Sequence, residues 1–137
     1  MTRPPRPVNP PTLTKPVGFS HGVEAGAGRL LFIAGQVARD GAGHVVGNGD
    51  LVAQFRQVCE NLRAVVAAAG GQLGDVTKLT IYVLDVDDYK AKRKPLGAVY
   101  REYFGRHFPA MTLVGARDLF DAADGCLIEI EGMAVLP

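Results

Sequence analysis

The sequence predicts an α+β domain: a sheet carrying two helices on one face. Three observations predict it. Apolar residues recur at helical spacing from Leu51 to Ala69, they alternate at strand spacing from Val76 to Leu84 and from Cys126 to Leu136, and one further helix is signalled near Pro95. The 137 residues are the length of one ordinary domain, and 47% hydrophobic against 21% charged is a globular composition, so a single core is expected.

Residues 1–16 hold six of the nine prolines together with Arg3, Arg6 and Lys15, and read as a flexible arm before one domain spanning 17–137. Gly22 to Ala25 and Arg29 to Ala34 flank a Gly-Ala-Gly turn, which predicts a hairpin opening the fold. Residues 35–49 are glycine-rich and read as a loop with room for one brief strand at Val45-Val46. From Leu51, apolar side chains fall at Phe55, Val58, Cys59, Leu62, Val65, Val66 and Ala69, one face of a helix. Asp50 suits its N-cap, and Gly70-Gly71 supplies the left-handed stop.

The strand from Val76 to Leu84 places Leu79, Ile81 and Val83 on one face, and Thr80, Tyr82 and Leu84 on the other. Asp85 to Lys94 is polar, and Pro95 fits a first helical turn, so a second helix is expected from about Pro95 to Phe104 with Gly105 ending it. Strands from Ala110 to Ala116 and Cys126 to Leu136, around a turn at 121–125, complete the chain. Two helices cover one face of such a sheet. The apolar residues on the other face call for a second copy of the subunit.

Composition excludes some functions. A net charge of +1 gives no electrostatic case for nucleic acid or an anionic membrane. No apolar run approaches the length of a membrane span, so the chain is expected in solution, with the cytoplasm as default. Cys59 and Cys126 lie far apart and read as buried thiols, and His21, His44 and His107 lack the spacing of zinc ligands, so no metal is expected. Lys90, Lys92, Arg93 and Lys94 form the one basic run, either a solvated face or an anion-binding rim.

A resemblance adds to this reading. Val17-Gly18-Phe19-Ser20, Ile33-Ala34-Gly35-Gln36-Val37 and the helix from Gln54 to Gly70 resemble, in order and spacing, motifs of the Rid (YjgF, or L-PSP) family of reactive intermediate deaminases. So do Asp75 to Thr80, Tyr100 to Phe104, Phe108-Pro109-Ala110 and Ile128-Glu129-Ile130-Glu131. The resemblance implies a chorismate-mutase-like subunit with a mixed sheet, three copies of which join into a central barrel with helices outside. It also implies small carboxylate ligands in clefts between subunits, no cofactor, and hydrolysis of enamines and imines with release of ammonia.

Such a site must hold the substrate and activate water at the imine carbon. For the second task the resemblance points to Glu129, as acid or base. Around the substrate it points to Phe19, Ala34, Gly35, Met111 and Thr112. Met111 departs from the pattern, because the family's deaminases carry an arginine after F-P-A to grip the substrate carboxylate. A thioether donates no hydrogen bond, and losing a charge-assisted contact costs roughly 1.5–3 kcal/mol. Arg117 does not replace it, since six residues at about 3.3 Å each place it about 20 Å along an extended strand. Phe19 stands where a tyrosine is common, Ala34 where a serine is, and the chain is about four residues longer near Pro95. A more apolar site, for an enamine or imine other than a typical 2-imino acid, is therefore expected. The alternatives are a non-catalytic metabolite-binding or chaperone-like trimer, and a ribonuclease or translation inhibitor of the L-PSP type. For the last, the chain offers no basic stripe and no paired histidines.

Overall fold

The computed structural model describes residues 4–137; Arg3 of the arm lies outside them. In chain order the elements are β1 (Arg6–Val8), β2 (Gly22–Glu24), β3 (Arg29–Gln36), α1 (Leu51–Ala68), β4 (Val76–Val83), α2 (Val86–Ala91), α3 (Arg93–Phe104), β5 (Ala110–Gly115) and β6 (Ile128–Leu136). Strands β3, β6, β4 and β5 form one sheet in that order. It is mixed, with β6 antiparallel to β3 and β4, and β5 parallel to β4.

The expected opening hairpin does not form. β2 pairs instead with β1, with Arg6 opposite Glu24 and an ion pair of 3.1 Å between their side chains. β3 pairs with β6, where Ile33 gains burial in the core that β2 has no residue to match. Gly28, at the start of β3, allows this entry: a Cβ there would overlap the Leu136 carbonyl oxygen. Pro7 is tolerated in β1 because the two-stranded ribbon is all edge.

The long helix ends as its caps predict. The Asp50 carboxylate accepts from Ala53 N at 3.1 Å. Gly70 takes φ +89°, its N–H donates to Ala67 O at 3.0 Å and that of Gly71 to Val66 O at 2.9 Å, the paired bonds of a Schellman stop. The polar stretch after β4 holds a helix that was not expected. Asp85 caps α2 by accepting from Asp88 N at 3.0 Å, and a Lys92–Asp88 ion pair of 2.8 Å holds its end. α3 then starts two residues before Pro95, which sits in its first turn as predicted.

The core lies between the sheet and helices α1 and α3. Leu79, Ile81 and Val83 of β4 and Ile128, Ile130, Ala134 and Leu136 of β6 meet Leu51, Phe55, Val58, Leu62, Val66, Leu96 and Val99 of the helices. The alternate positions face outward, and Leu30 and Phe32 of β3 remain 62% and 69% exposed there. One face of the sheet is thus open in the single chain, as the two-sided apolar pattern predicts.

Candidate functional site

The open face carries Glu129. Its neighbours Ile128 and Ile130 are buried toward the helices, so alternation turns Glu129 outward, opposite Tyr82 of β4. The β3–β6 register shifts between Ile33 and Gln36, which brings Gly35 beside Glu129. A side chain at 35 would collide with the carboxylate: a Cβ there would overlap Glu129 Oε2. Ala34 is exposed next to it. Glu129 is half-buried, and among the described residues no hydrogen bond or ion pair occupies its carboxylate. Glu131, two residues on, is engaged; it accepts from Tyr82 Oη at 2.9 Å and thereby raises the phenol's pKa. Thr112 also faces outward, accepting from Lys78 Nζ at 3.1 Å, but β4 separates it from Glu129.

Met111 lies on the other side of the sheet. It pairs in register with Leu79, a core residue, and packs against the helix-side core. There it lines a cavity of about 430 Å³ between the sheet, α1 and α3, walled by Phe55, Cys59, Leu79, Tyr100 and Phe108 among others. Burial pushes the Cys59 thiol up to about 12, leaving it an unreactive wall group. Tyr100 stacks on Phe104 and on Phe108, with ring centroids 4.7 and 5.4 Å away, and its hydroxyl donates to the His107 carbonyl at 2.5 Å.

The opening motif docks beside this cavity. Ser20 donates through Oγ to Phe108 O at 2.6 Å and through its N–H to Pro109 O at 3.1 Å, which draws residues 17–20 against 108–110. Val17 and Gly18 line the cavity with Met111, whereas Phe19 turns aside to meet His21 edge-on at 5.3 Å. The six residues singled out in the sequence therefore divide. Ala34, Gly35 and Glu129 meet on the open face, Thr112 shares that face at a distance, Met111 belongs to the cavity, and Phe19 joins neither group.

Arg93, which the sequence marks only as part of the basic run, and Arg101, which it does not mark, also line the cavity. With Gly97 they stand at positions i, i+4 and i+8 of α3, one helix face, which the spacing alone would have revealed. The histidines are spoken for or exposed: His107 Nε2 lies 2.6 Å from Val76 O, His21 Nε2 2.7 Å from Thr14 O, and His44 is on the surface. Among the described residues no cluster of three His, Cys, Asp or Glu side chains is placed to hold a metal.

Comparison with known proteins bears on this arrangement. The family model described as Endoribonuclease L-PSP matches residues 12–136, nearly the whole described chain. The chain belongs to the Rid, or endoribonuclease L-PSP, family. Similar Rid-family relatives include a RutC family protein of Pyrococcus horikoshii, 42% identical over 88% of this chain and 89% of its own. The 2-iminobutanoate/2-iminopropanoate deaminase of Salmonella typhimurium is 34% identical over 85% of this chain and 86% of its own. A crystal structure of a conserved Rid-family protein of unknown function from Yersinia pestis is 38% identical, with a TM-score of 0.82, and the match covers 98% of this chain and all of that one. The fold is thus that of the Rid family, and among the described residues no helix is long and apolar enough to cross a membrane.

Proposed function

We propose that the protein hydrolyses a small enamine or imine other than a typical 2-imino acid, as a cytoplasmic homotrimer with its substrate in clefts between subunits. The observation that carries this reading is Glu129: a half-buried carboxylate with no partner among the described residues, held against the bare backbone of Gly35. A carboxylate free of other bonds is available for proton transfer. It takes a proton from water as the oxygen attacks the imine carbon and returns it to nitrogen. The carbinolamine so formed then expels ammonia and leaves a carbonyl. The deaminase name of the Salmonella relative supports the reaction class. The exposed Leu30 and Phe32 support a trimer, since a second copy would bury them.

Met111 supports the restriction on substrate. Where the family's deaminases place a guanidinium, this chain has an apolar wall facing the cavity. The test is ammonia release from a panel of enamines and imines by the wild type and by Glu129→Gln. Turnover abolished in the variant is the expected result. Efficient turnover of 2-aminoacrylate by the wild type would overturn the restriction, and full activity in Glu129→Gln would overturn the mechanism. Met111 also favours a second reading, a metabolite-binding trimer without catalysis, which predicts saturable ligand binding and no ammonia from any member of the panel.

A further inference from the structure

We infer that the cavity beneath α3 binds an organic anion with an apolar body, whose charged end is held by Arg93 and Arg101 rather than at position 111. This deepens the proposed function by naming a ligand class, but it stands on the cavity's own charge.

The cavity measures about 430 Å³, within the range of roughly 300–1,000 Å³ typical of small-molecule sites and well above the roughly 150 Å³ that admits a benzene ring. Its walls are aliphatic and aromatic, and no acidic side chain is among them. Two guanidinium-bearing side chains nevertheless line it. Arg101 makes no hydrogen bond or ion pair among the described residues, and its Nη1 is the atom nearest to where a Gly97 side chain would be, 3.4 Å away. The adjacent acid does not neutralise it, because both oxygens of Glu102 are taken by Arg56, at 2.5 and 3.1 Å. Arg93 spends only Nε, which donates to Lys90 O at 3.2 Å.

Two unpaired cations at an otherwise apolar cavity favour an anion whose body is apolar. Its carboxylate or equivalent would lie toward α3. A 2-imino acid keeps its carboxylate one bond from the reacting carbon, whereas this arrangement fits an acid set apart from that carbon by an apolar spacer. The basic run at residues 90–94, unexplained by the proposed chemistry, then supplies one of these two arginines.

Calorimetric titration of the full chain with 4-phenylbutyrate, 4-phenylbutanol and acetate tests this without requiring turnover. The expected order is phenylbutyrate tightest, by on the order of tenfold or more over the alcohol, and acetate weakest. Arg93→Gln and Arg101→Gln should each erode the preference for the acid over the alcohol, and the double variant should abolish it, while Lys94→Gln leaves it intact. Equal binding of acid and alcohol, acetate binding as tightly as phenylbutyrate, no binding of phenylbutyrate, or a preference that survives the double variant would each overturn the inference. Binding in this order with no ammonia from any enamine or imine would sink the proposed reaction and leave the inference standing.

Discussion

Met111 and Glu129 stand on opposite faces of one sheet, with β4 between their strands. A site that uses the cavity and the carboxylate together must therefore take them from different copies of the chain. Hybrids of two variants, refolded together into the proposed trimer, test this. Glu129→Gln removes the carboxylate, and Gly97→Leu plugs the cavity from α3, where glycine has ordinary helical geometry and a Cβ would meet only the flexible end of Arg101, at 3.4 Å. Each variant alone is expected to be inactive in ammonia release. When the two are unfolded and refolded together in equal amounts, about a quarter of the clefts combine an intact half from each, so about a quarter of the activity should return. Absence of recovery would mean that the two features do not share an intersubunit site.

Gly35 serves Glu129 by having no side chain. Gly35→Ala places a methyl group where the carboxylate now rests, and the carboxylate, at the end of a flexible and half-exposed chain, swings away. Stability should change by less than about 1 kcal/mol, because the displaced atoms are not core. Activity should fall as far as in Glu129→Gln, and the double variant should be no worse than either. Additive losses in that cycle would show that the two positions act independently.

What the sequence made legible was local chemistry. Asp50 and Gly70-Gly71 mark the ends of α1 because caps are satisfied by neighbours a few residues away. The alternation of β6 likewise shows that Glu129 and Ile130 face opposite sides. The partner of β2 was not legible, since a three-residue strand carries too little pattern to choose between β1 and β3. Its pairing depends on β6 claiming β3 from a hundred residues away. The face that Met111 occupies depends on its register with Leu79 across a parallel pair, which no local motif records. Arg101 was not legible beside Arg93, because the basic run shows as a block at residues 90–94 and only the helical phase of α3 joins Arg93 to a residue eight positions on.

Gln54 is the buried polar group most exposed to test. It is fully buried in α1, yet its amide nitrogen donates to Gly47 O at 3.2 Å and Gly125 O at 2.8 Å, while its oxygen accepts from Leu127 N at 2.8 Å. One side chain thus ties the glycine-rich loop to the turn before β6. Gln54→Ala leaves two carbonyls and an N–H without partners, so a loss of about 2–4 kcal/mol is expected. The urea midpoint should fall with the slope of the transition unchanged. A loss no larger than that of an exposed helical substitution would show that water replaces the amide without cost.

Helices α1 and α3 are joined by charged groups whose titration should appear in stability. Arg56 grips Glu102 through its two terminal guanidinium nitrogens, Nη1 and Nη2, and Tyr103 Oη donates to Glu60 at 2.9 Å. Both carboxyls are held below their ordinary value of 4.5, Glu102 chiefly by its hydrogen bonds from Arg56 and Glu60 chiefly by those from Arg63 and then Tyr103. A carboxyl whose folded pKa is lowered stabilises the fold fully above its unfolded pKa, and that contribution fades as pH falls through the folded value. The contribution of this clasp should therefore be whole at pH 7 and vanish in strong acid. Glu102→Gln removes the charge at every pH. Its urea midpoint should lie below that of the wild type at pH 7, and the gap should close as the pH is lowered past 4, because the wild type then loses what the variant never had. The pairs are solvent-exposed, so 1 M salt at pH 7 should also narrow the gap. A gap that stays constant from pH 7 to pH 3 would mean that Glu102 acts through packing of its side chain and not through its charge.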